Sequence, residues 1–216
     1  MKHFLAFTLI VGSLGLSACS DPVPRNRGVF MLIDTSGTYT QELSKAQQII
    51  NAVLTKLNPG DSFAVARIDT GSFSEKDIVA KVTFDERPSV ANQQKRAFLA
   101  EIKRFVKTVK PARYTDITGG ILQASEYLSE KNAGKKVILV FSDLKEELKK
   151  GYIRNFALVL DKVEIVALNV TKLRSDNVDP REYMARLKAW ETRVEKGGGV
   201  FRVINDLDRL ERVING

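Results

Sequence analysis

Sulfur and imidazole are almost missing from this 216-residue chain: Cys19 is its one cysteine and His3 its one histidine. Both stand in the first 19 residues, ahead of everything that reads as a folded domain. That domain can therefore form no internal disulfide, no Ser-His-Asp triad, no Cys-His nucleophilic pair and no His/Cys zinc site. Most hydrolase chemistries are closed to it. No apolar run reaches the ~20 residues of a membrane-spanning helix, and no Gly-Lys-Ser/Thr phosphate signature is present. Gly197-Gly198-Gly199 follows a helical pattern and precedes a strand, the reverse of a phosphate-binding order, so it reads as a turn. Lys135-Lys136 and Lys149-Lys150 are only pairs, and the net charge of +8 reads as solvated surface with no nucleic-acid partner expected. No internal repeat or low-complexity segment is evident.

What is present begins with a basic start, Met1-Lys2-His3, an apolar stretch from Phe4 to Leu16, and Leu16-Ser17-Ala18-Cys19. The stretch is too short to span a bilayer and suits an export signal. It resembles a bacterial lipoprotein signal. That resemblance implies cleavage of residues 1–18 and lipid attachment at Cys19, with residues 19–27 as a tether containing Pro22 and Pro24 and a domain over 28–216. The expected location is the cell envelope, with the domain facing the periplasm or the cell exterior; in a Gram-negative cell, Ser20 after Cys19 resembles an outer-membrane sorting signal and favours the outer membrane facing the periplasm. Loss of residues 1–18 leaves 198 residues and takes the charge from +8 to +7 with Lys2. This is enough chain for one domain burying roughly 70% of its unfolded surface without disulfides.

Periodicity lays out an alternation of strands and helices. Val29 to Ile33 is an apolar run suited to a central parallel strand covered on both faces. Leu43, Ala46, Ile49, Ile50, Val53, Leu54 and Leu57 repeat at helical spacing from Thr40 to Leu57, and Asn58-Pro59-Gly60-Asp61 stops that helix. Strands follow at Ser62–Asp69 and Ile78–Phe84, with so little chain between them that they should run antiparallel. Helices are expected over Ser89–Val109, with Phe98, Ile102, Phe105, Val106 and Val109 inward, and from about Thr115 to Lys131. Strands at Lys136–Asp143 and Val163–Leu168 come next, then a helix over Asp179–Lys196 whose stripe of Met184, Leu187, Trp190 and Val194 reads as core. Val200–Val203 and a terminal helix with Leu207, Leu210, Val213 and Ile214 complete the domain. The expected class is a three-layer, Rossmann-like α/β sandwich with a mostly parallel sheet and one antiparallel edge strand.

Three polar clusters interrupt this pattern. The first strand breaks into Asp34-Thr35-Ser36-Gly37-Thr38, where Asp34, Ser36 and Thr38 offer hard oxygen atoms at alternate positions, chemistry suited to Mg2+, Mn2+ or Ca2+. Arg113-Tyr114-Thr115-Asp116 opens the helix before Thr118-Gly119-Gly120, and Thr115 or Asp116 also suits an N-cap. The strand from Lys136 ends in Ser142-Asp143, mirroring Val29 to Asp34. Asp69, at the end of the second strand, reads as a turn residue in Asp69-Thr70-Gly71-Ser72.

Together these clusters resemble the von Willebrand factor type A domain, whose metal-ion-dependent adhesion site opens with Asp-x-Ser-x-Ser. Thr38 stands where that motif has its last Ser, and Leu144 stands where the family commonly has the Gly of Thr-Asp-Gly. The resemblance implies strand order 3-2-1-4-5-6 and a Mg2+ (or Mn2+/Ca2+) site made by Asp34, Ser36, Thr38, Thr115 and Asp143, with Thr118 the second choice for the loop threonine. It further implies a non-enzymatic module whose protein partner completes the coordination shell with an acidic side chain. Two alternatives stay open at this point: a Mg2+-dependent hydrolase or phosphotransferase, because carboxylates and a cation can activate water, and a structural domain with an idle site.

Overall fold

The computed structural model describes residues 24–37, 42–168, 179–204 and 206–215. Residues 1–23 and 38–41 lie outside them, so the export signal, Cys19 and Thr38 are expectations without a described position. The strands are β1 (Arg27–Asp34), β2 (Ser62–Ile68), β3 (Ile78–Thr83), β4 (Lys135–Phe141), β5 (Val163–Leu168) and β6 (Val200–Ile204). The helices are α1 (Leu43–Lys56), α2 (Pro88–Thr108), α3 (Ile117–Glu130), α4 (Pro180–Lys196) and α5 (Leu207–Asn215). The sheet runs β3-β2-β1-β4-β5-β6, parallel except for β2 with β3. That is the expected class and the expected order. β1 begins at Arg27, one residue ahead of the expected domain start.

β1 is central because its apolar run is buried on both faces. Val29, Met31 and Ile33 join a core under α1, α2 and α5, while Phe30 and Leu32 join a second core under α3 and α4. The chain leaves β1 toward β2 on one side and returns as β4 on the other, so the strand order reverses at β1, and a cleft at the C-terminal ends of β1 and β4 is where such sheets bind ligands. α3 lies unusually near this point. A Cβ on Gly120 would stand 3.0 Å from Leu32 Cδ2, and one on Gly119 would fall 1.7 Å from the Ser72 carbonyl oxygen. Only glycine allows that approach.

The stripe expected on α4 is corrected at one end: Trp190 and Val194 are buried, but Met184 is 61% exposed. The three glycines are the expected turn, with Gly198 at φ +85° and the Gly198 and Gly199 N–H groups donating to Glu195 and Val194 carbonyls.

The opposite end of β1 is held by one ion pair. Arg27 donates from Nε and Nη2 to Asp61 Oδ2 at 2.9 and 2.6 Å, while its backbone N–H reaches Asp61 Oδ1 at 2.7 Å. The same guanidinium donates to the Lys56 carbonyl at the end of α1 (2.6 Å) and the Ile214 carbonyl at the end of α5 (3.3 Å), where a cation opposes the helix dipoles. Both side chains are nearly covered, with 12% and 4% exposure. Removing one partner strands the other charge in low dielectric. Arg27→Ala should therefore lower unfolding free energy by about 3–5 kcal/mol, read from the urea midpoint. A shift no larger than that of an exposed pair such as Arg104–Glu101 would show that the clamp carries no weight.

Candidate metal centre

β1 and β4 pair in register through Ile33 and Phe141, so their next residues, Asp34 and Ser142, leave the sheet side by side and Asp143 follows. Ser142 Oγ donates to Asp34 Oδ2 at 2.7 Å, and the Ser36 N–H donates to Asp34 Oδ1 at 2.8 Å. Asp34 is 1% exposed and Asp143 is 6% exposed. The Lys145 N–H donates to Asp143 Oδ1 at 2.8 Å. Thr35 serves structure, not the site, since its hydroxyl donates to the Ile68 carbonyl at 2.8 Å and ties β1 to β2.

The third loop is fastened to the other two by backbone bonds. The Ala112 N–H donates to the Thr35 carbonyl at 2.8 Å, forming a short bridge at Ser36. Thr115 and Glu147 exchange N–H and carbonyl bonds at 2.8 and 3.0 Å. Thr115 is thus buried beside the segment that follows Asp143 and does not cap α3. Asp116 is the cap, accepting from the Gly119 N–H at 2.8 Å, and it also takes a forked contact from Arg154, with 2.8 Å from Nη2. Thr118 is the second residue of α3, with its hydroxyl accepting from Arg193 at 2.6 Å, so it is occupied away from the strand ends. Asp69 is a turn residue, its N–H donating to Ser72 Oγ at 2.8 Å. The structure brings Asp34, Ser36, Thr115 and Asp143 to one rim; Thr38 is outside the described residues.

Sequence reading missed the groups that hold this rim from behind. Along α4, Arg186 Nε donates to the Asp143 carbonyl at 3.0 Å, Trp190 Nε1 to the Leu144 carbonyl at 2.9 Å, and Arg193 to Thr118 and to the Arg154 carbonyl. The spacing 186, 190, 193 puts all three on one helical face. The only sequence signal was that face itself, and nothing in it names the loop that it grips. Leu144 is the other surprise. It adopts φ +65°, the left-handed conformation natural to the glycine it replaces, while its side chain stays buried at 2% exposure. A left-handed non-glycine residue costs roughly 1–2 kcal/mol, which burial of the leucine side chain offsets.

Both carboxyls are pushed above their ordinary values. For Asp34 burial is the main cause, drawn back by the hydrogen bonds from the Ser36 backbone, Ser142 and the Ser36 side chain, with Glu147 adding a smaller upward push. For Asp143 burial again leads, the Lys145 N–H lowers, and the Asp34 charge raises. Arg186 and Lys145 draw Asp143 part of the way back, and a divalent cation would supply further opposite charge to both groups. The donor set fits one: each carboxylate has about four lone-pair sites, and the three bonds on Asp34 leave about one of them open. Carboxylates beside hydroxyls make an all-oxygen set suited to Mg2+, Mn2+ or Ca2+.

No protein-family profile matches the chain, and no curated protein sequence matches it. Solved structures do. One similar structure is a von Willebrand factor type A protein from Catenulispora acidiphila, with a TM-score of 0.54, 16% identity, and coverage of 89% of this chain and 41% of that one. Another is the pilus adhesin SpaC from Lactobacillus rhamnosus GG in its open conformation, with a TM-score of 0.54, 11% identity, and coverage of 89% and 29%. The chain spans under half the length of either. At these identities the likeness is one of fold, and the fold is that of a von Willebrand factor type A domain.

Two outcomes test the site's local physics. A carboxyl whose pKa rises on folding holds its proton more tightly in the native state, so its contribution to stability falls as pH climbs from the ordinary value near ~4 through the folded value. In chelator, Asp34→Asn should therefore melt above wild type at neutral pH, and the gap should close as the solution is acidified. A variant melting below wild type at neutral pH would reverse the sign argued here. Leu144→Gly relieves the backbone but empties a core site, where large-to-small changes cost about 2–5 kcal/mol. Its chemical denaturation should show a net loss of about 1–3 kcal/mol; a net gain would show that the backbone, not the side chain, sets the turn.

Proposed function

We propose that this von Willebrand factor type A fold is a binding module that engages a protein partner through a divalent cation, with Mg2+ the first choice and Mn2+ or Ca2+ the others. The observation that supports it is the pair of buried carboxyls, Asp34 and Asp143, raised by burial and standing beside Ser36 and Thr115. Those four residues, joined by Thr38, would hold the cation. When bound, it would neutralise the two carboxylates and leave coordination positions for an acidic side chain of the partner. The chain's own residues aim the donors: Ser142 and the Ser36 N–H orient Asp34, the Lys145 N–H orients Asp143, and the bridge to Glu147 sets Thr115.

A binder is favoured over an enzyme because nearby groups that could move a proton are already engaged. Glu146 accepts from the Thr118 N–H at 2.7 Å and faces Arg193, while Asp116 is held by Arg154. The module is placed in the cell envelope, anchored by lipid at Cys19 and facing the periplasm from the outer membrane. The lipoprotein-like N-terminus supports that placement. Similarity to a pilus adhesin points the same way. No helix among the described residues is long and apolar enough to cross a membrane.

Melting in chelator and then in millimolar Mg2+ or Mn2+ tests the cation. A ligand at 100-fold excess over its Kd stabilises the native state by about 2.7 kcal/mol, so wild type should gain about that much while Asp34→Asn and Thr115→Ala gain little. No shift in wild type, with no heat of metal binding by calorimetry, defeats the site and leaves the fold intact. Equal shifts in all three proteins place the metal elsewhere. Phosphate-ester turnover abolished by Asp34→Ala would replace the binder with an enzyme.

A further inference from the structure

The chain between β4 and β5, residues 142–162, crosses from one parallel strand to the next without a helix. Such crossovers are usually helical, and an irregular connection of this length inside a domain usually carries function. Glu147 ties its start to Thr115 at the metal rim. It then runs beside α3, with Arg154 on the cap Asp116 and the Val159 carbonyl accepting from Ser125 Oγ at 2.9 Å. From Arg154 to Val159 an extended chain covers about 16 Å, and from Asp116 to Ser125 a helix rises about 14 Å. The strap therefore lies stretched along the first turns of α3. Leu158 and Leu160 turn into the core, while Tyr152, Ile153, Phe156 and Val159 are left exposed. Tyr152 lies against the turn at Gly71, where a Cβ would fall 2.5 Å from its Cε1, and exposed Phe73 follows in that loop. Among the described residues, the backbone N–H groups of residues 153–159 donate to no protein acceptor. The acids around the strap are spent: Glu147 pairs with Lys145, Glu146 with Arg193 and Asp116 with Arg154. Lys149 and Lys150, exposed at its head, have no acid partner among the described residues.

We infer that the strap is a strand-addition surface for an extended, acidic and apolar segment of the partner protein. That segment pairs with the strap backbone, lays apolar side chains over Tyr152, Ile153 and Phe156, and sets acidic ones against Lys149 and Lys150. The inference deepens the metal-rim reading and rests on it for the place of the partner's metal-binding acid. A row of unpaired N–H groups on extended chain is a template for another strand. Main-chain bonds along such a template, with side-chain contacts on alternate residues, are how extended peptides are recognised. Glu147 and Phe156 are at most about 30 Å apart, so one extended segment of roughly ten residues reaches from the strap to the rim. A second copy of this chain is the poorer occupant, because it would bring Lys149 and Lys150 toward their own kind on a chain of net charge +8. An acidic segment meets them with opposite charge, and the same chemistry suits the cation.

The full chain, held in detergent, is panned with a random dodecapeptide library displayed on phage, in millimolar Mg2+ and in chelator. Wild type in Mg2+ should enrich peptides that combine Asp or Glu with large apolar residues. A synthetic peptide from that set should bind Ile153→Ser/Phe156→Ser about tenfold more weakly or worse, and Lys149→Gln/Lys150→Gln severalfold more weakly at low salt. Methylating its backbone amides one at a time should weaken binding at alternate positions only, a pattern that side-chain contact alone would not produce. The substituted residues are all exposed, so the variants should melt with wild type. Peptides that need Mg2+ and Asp34 but bind both strap variants as tightly as wild type overturn the strap and keep the metal rim. Peptides that bind equally in chelator and to Asp34→Asn, yet are lost on the strap variants and show the alternate methylation pattern, keep the strap and overturn the cation reading. Enrichment of basic or wholly polar peptides, or none beyond that seen on the strap variants, overturns the strap. A full chain that sediments as a dimer and reverts to monomer in Ile153→Ser/Phe156→Ser gives the surface to a second copy, which overturns it as well.

Discussion

The arrangement depends on a carboxylate that the fold covers almost completely. Asp34 ends a strand buried on both faces, and its charge has to be met by something that the fold itself provides. Ser142 and the Ser36 N–H meet part of it. They also tie the end of β1 to the end of β4, so the same bonds that make the charge tolerable determine where Asp143 begins. Burial still holds both carboxyls above their ordinary values, with Arg186 and Lys145 drawing Asp143 part of the way back. An all-oxygen rim with surplus negative charge is the electrostatic condition for holding a divalent cation.

Around that rim, rigidity comes from elements that stand behind the strand ends. Three loops meet there, and backbone bonds fasten each to another: Thr35 to Ala112, and Thr115 to Glu147. From behind, one face of α4 grips the carbonyls after β4 through Arg186 and Trp190, and reaches α3 through Arg193. Gly119 and Gly120 let α3 come close to the Ser72 carbonyl and to Leu32, and its cap, Asp116, meets Arg154. A change in the position of α4 would reach Asp143 and the start of α3 together, because the bonds are shared.

The two ends of the sheet carry opposite electrostatic characters, and parallel topology is the reason. All parallel strands deliver their C-terminal ends to one edge, where Asp34 and Asp143 gather, and their N-terminal ends to the other, where Arg27 and Lys135 stand. At the basic end, Arg27 is consumed by Asp61 and the carbonyls of two helices, and Lys135 by the Val213 carbonyl.

Composition and periodicity were enough for the fold class, the element order and the antiparallel edge, because burial on two faces leaves an uninterrupted apolar run in β1 and β4 and a 3.6-residue repeat in the helices. The strand ends were legible for a related reason: a polar group just after an apolar strand stands out against it. That Asp34 and Asp143 stand just past the ends of two buried strands could be read, as could the turn character of Asp69 and of Gly197 to Gly199 from local chemistry. Met184 misled, since a helical stripe does not say where along its length the neighbouring layer stops. Tertiary structure alone decided that Asp116, not Thr115, caps α3, that Thr118 is held by Arg193, that Leu144 takes a glycine's conformation, and that Arg27 is a clamp and not part of a tether. Each of these rests on a partner dozens of residues away or on a local backbone shape imposed by packing, and a linear sequence records neighbours along the chain but not the neighbours that folding supplies.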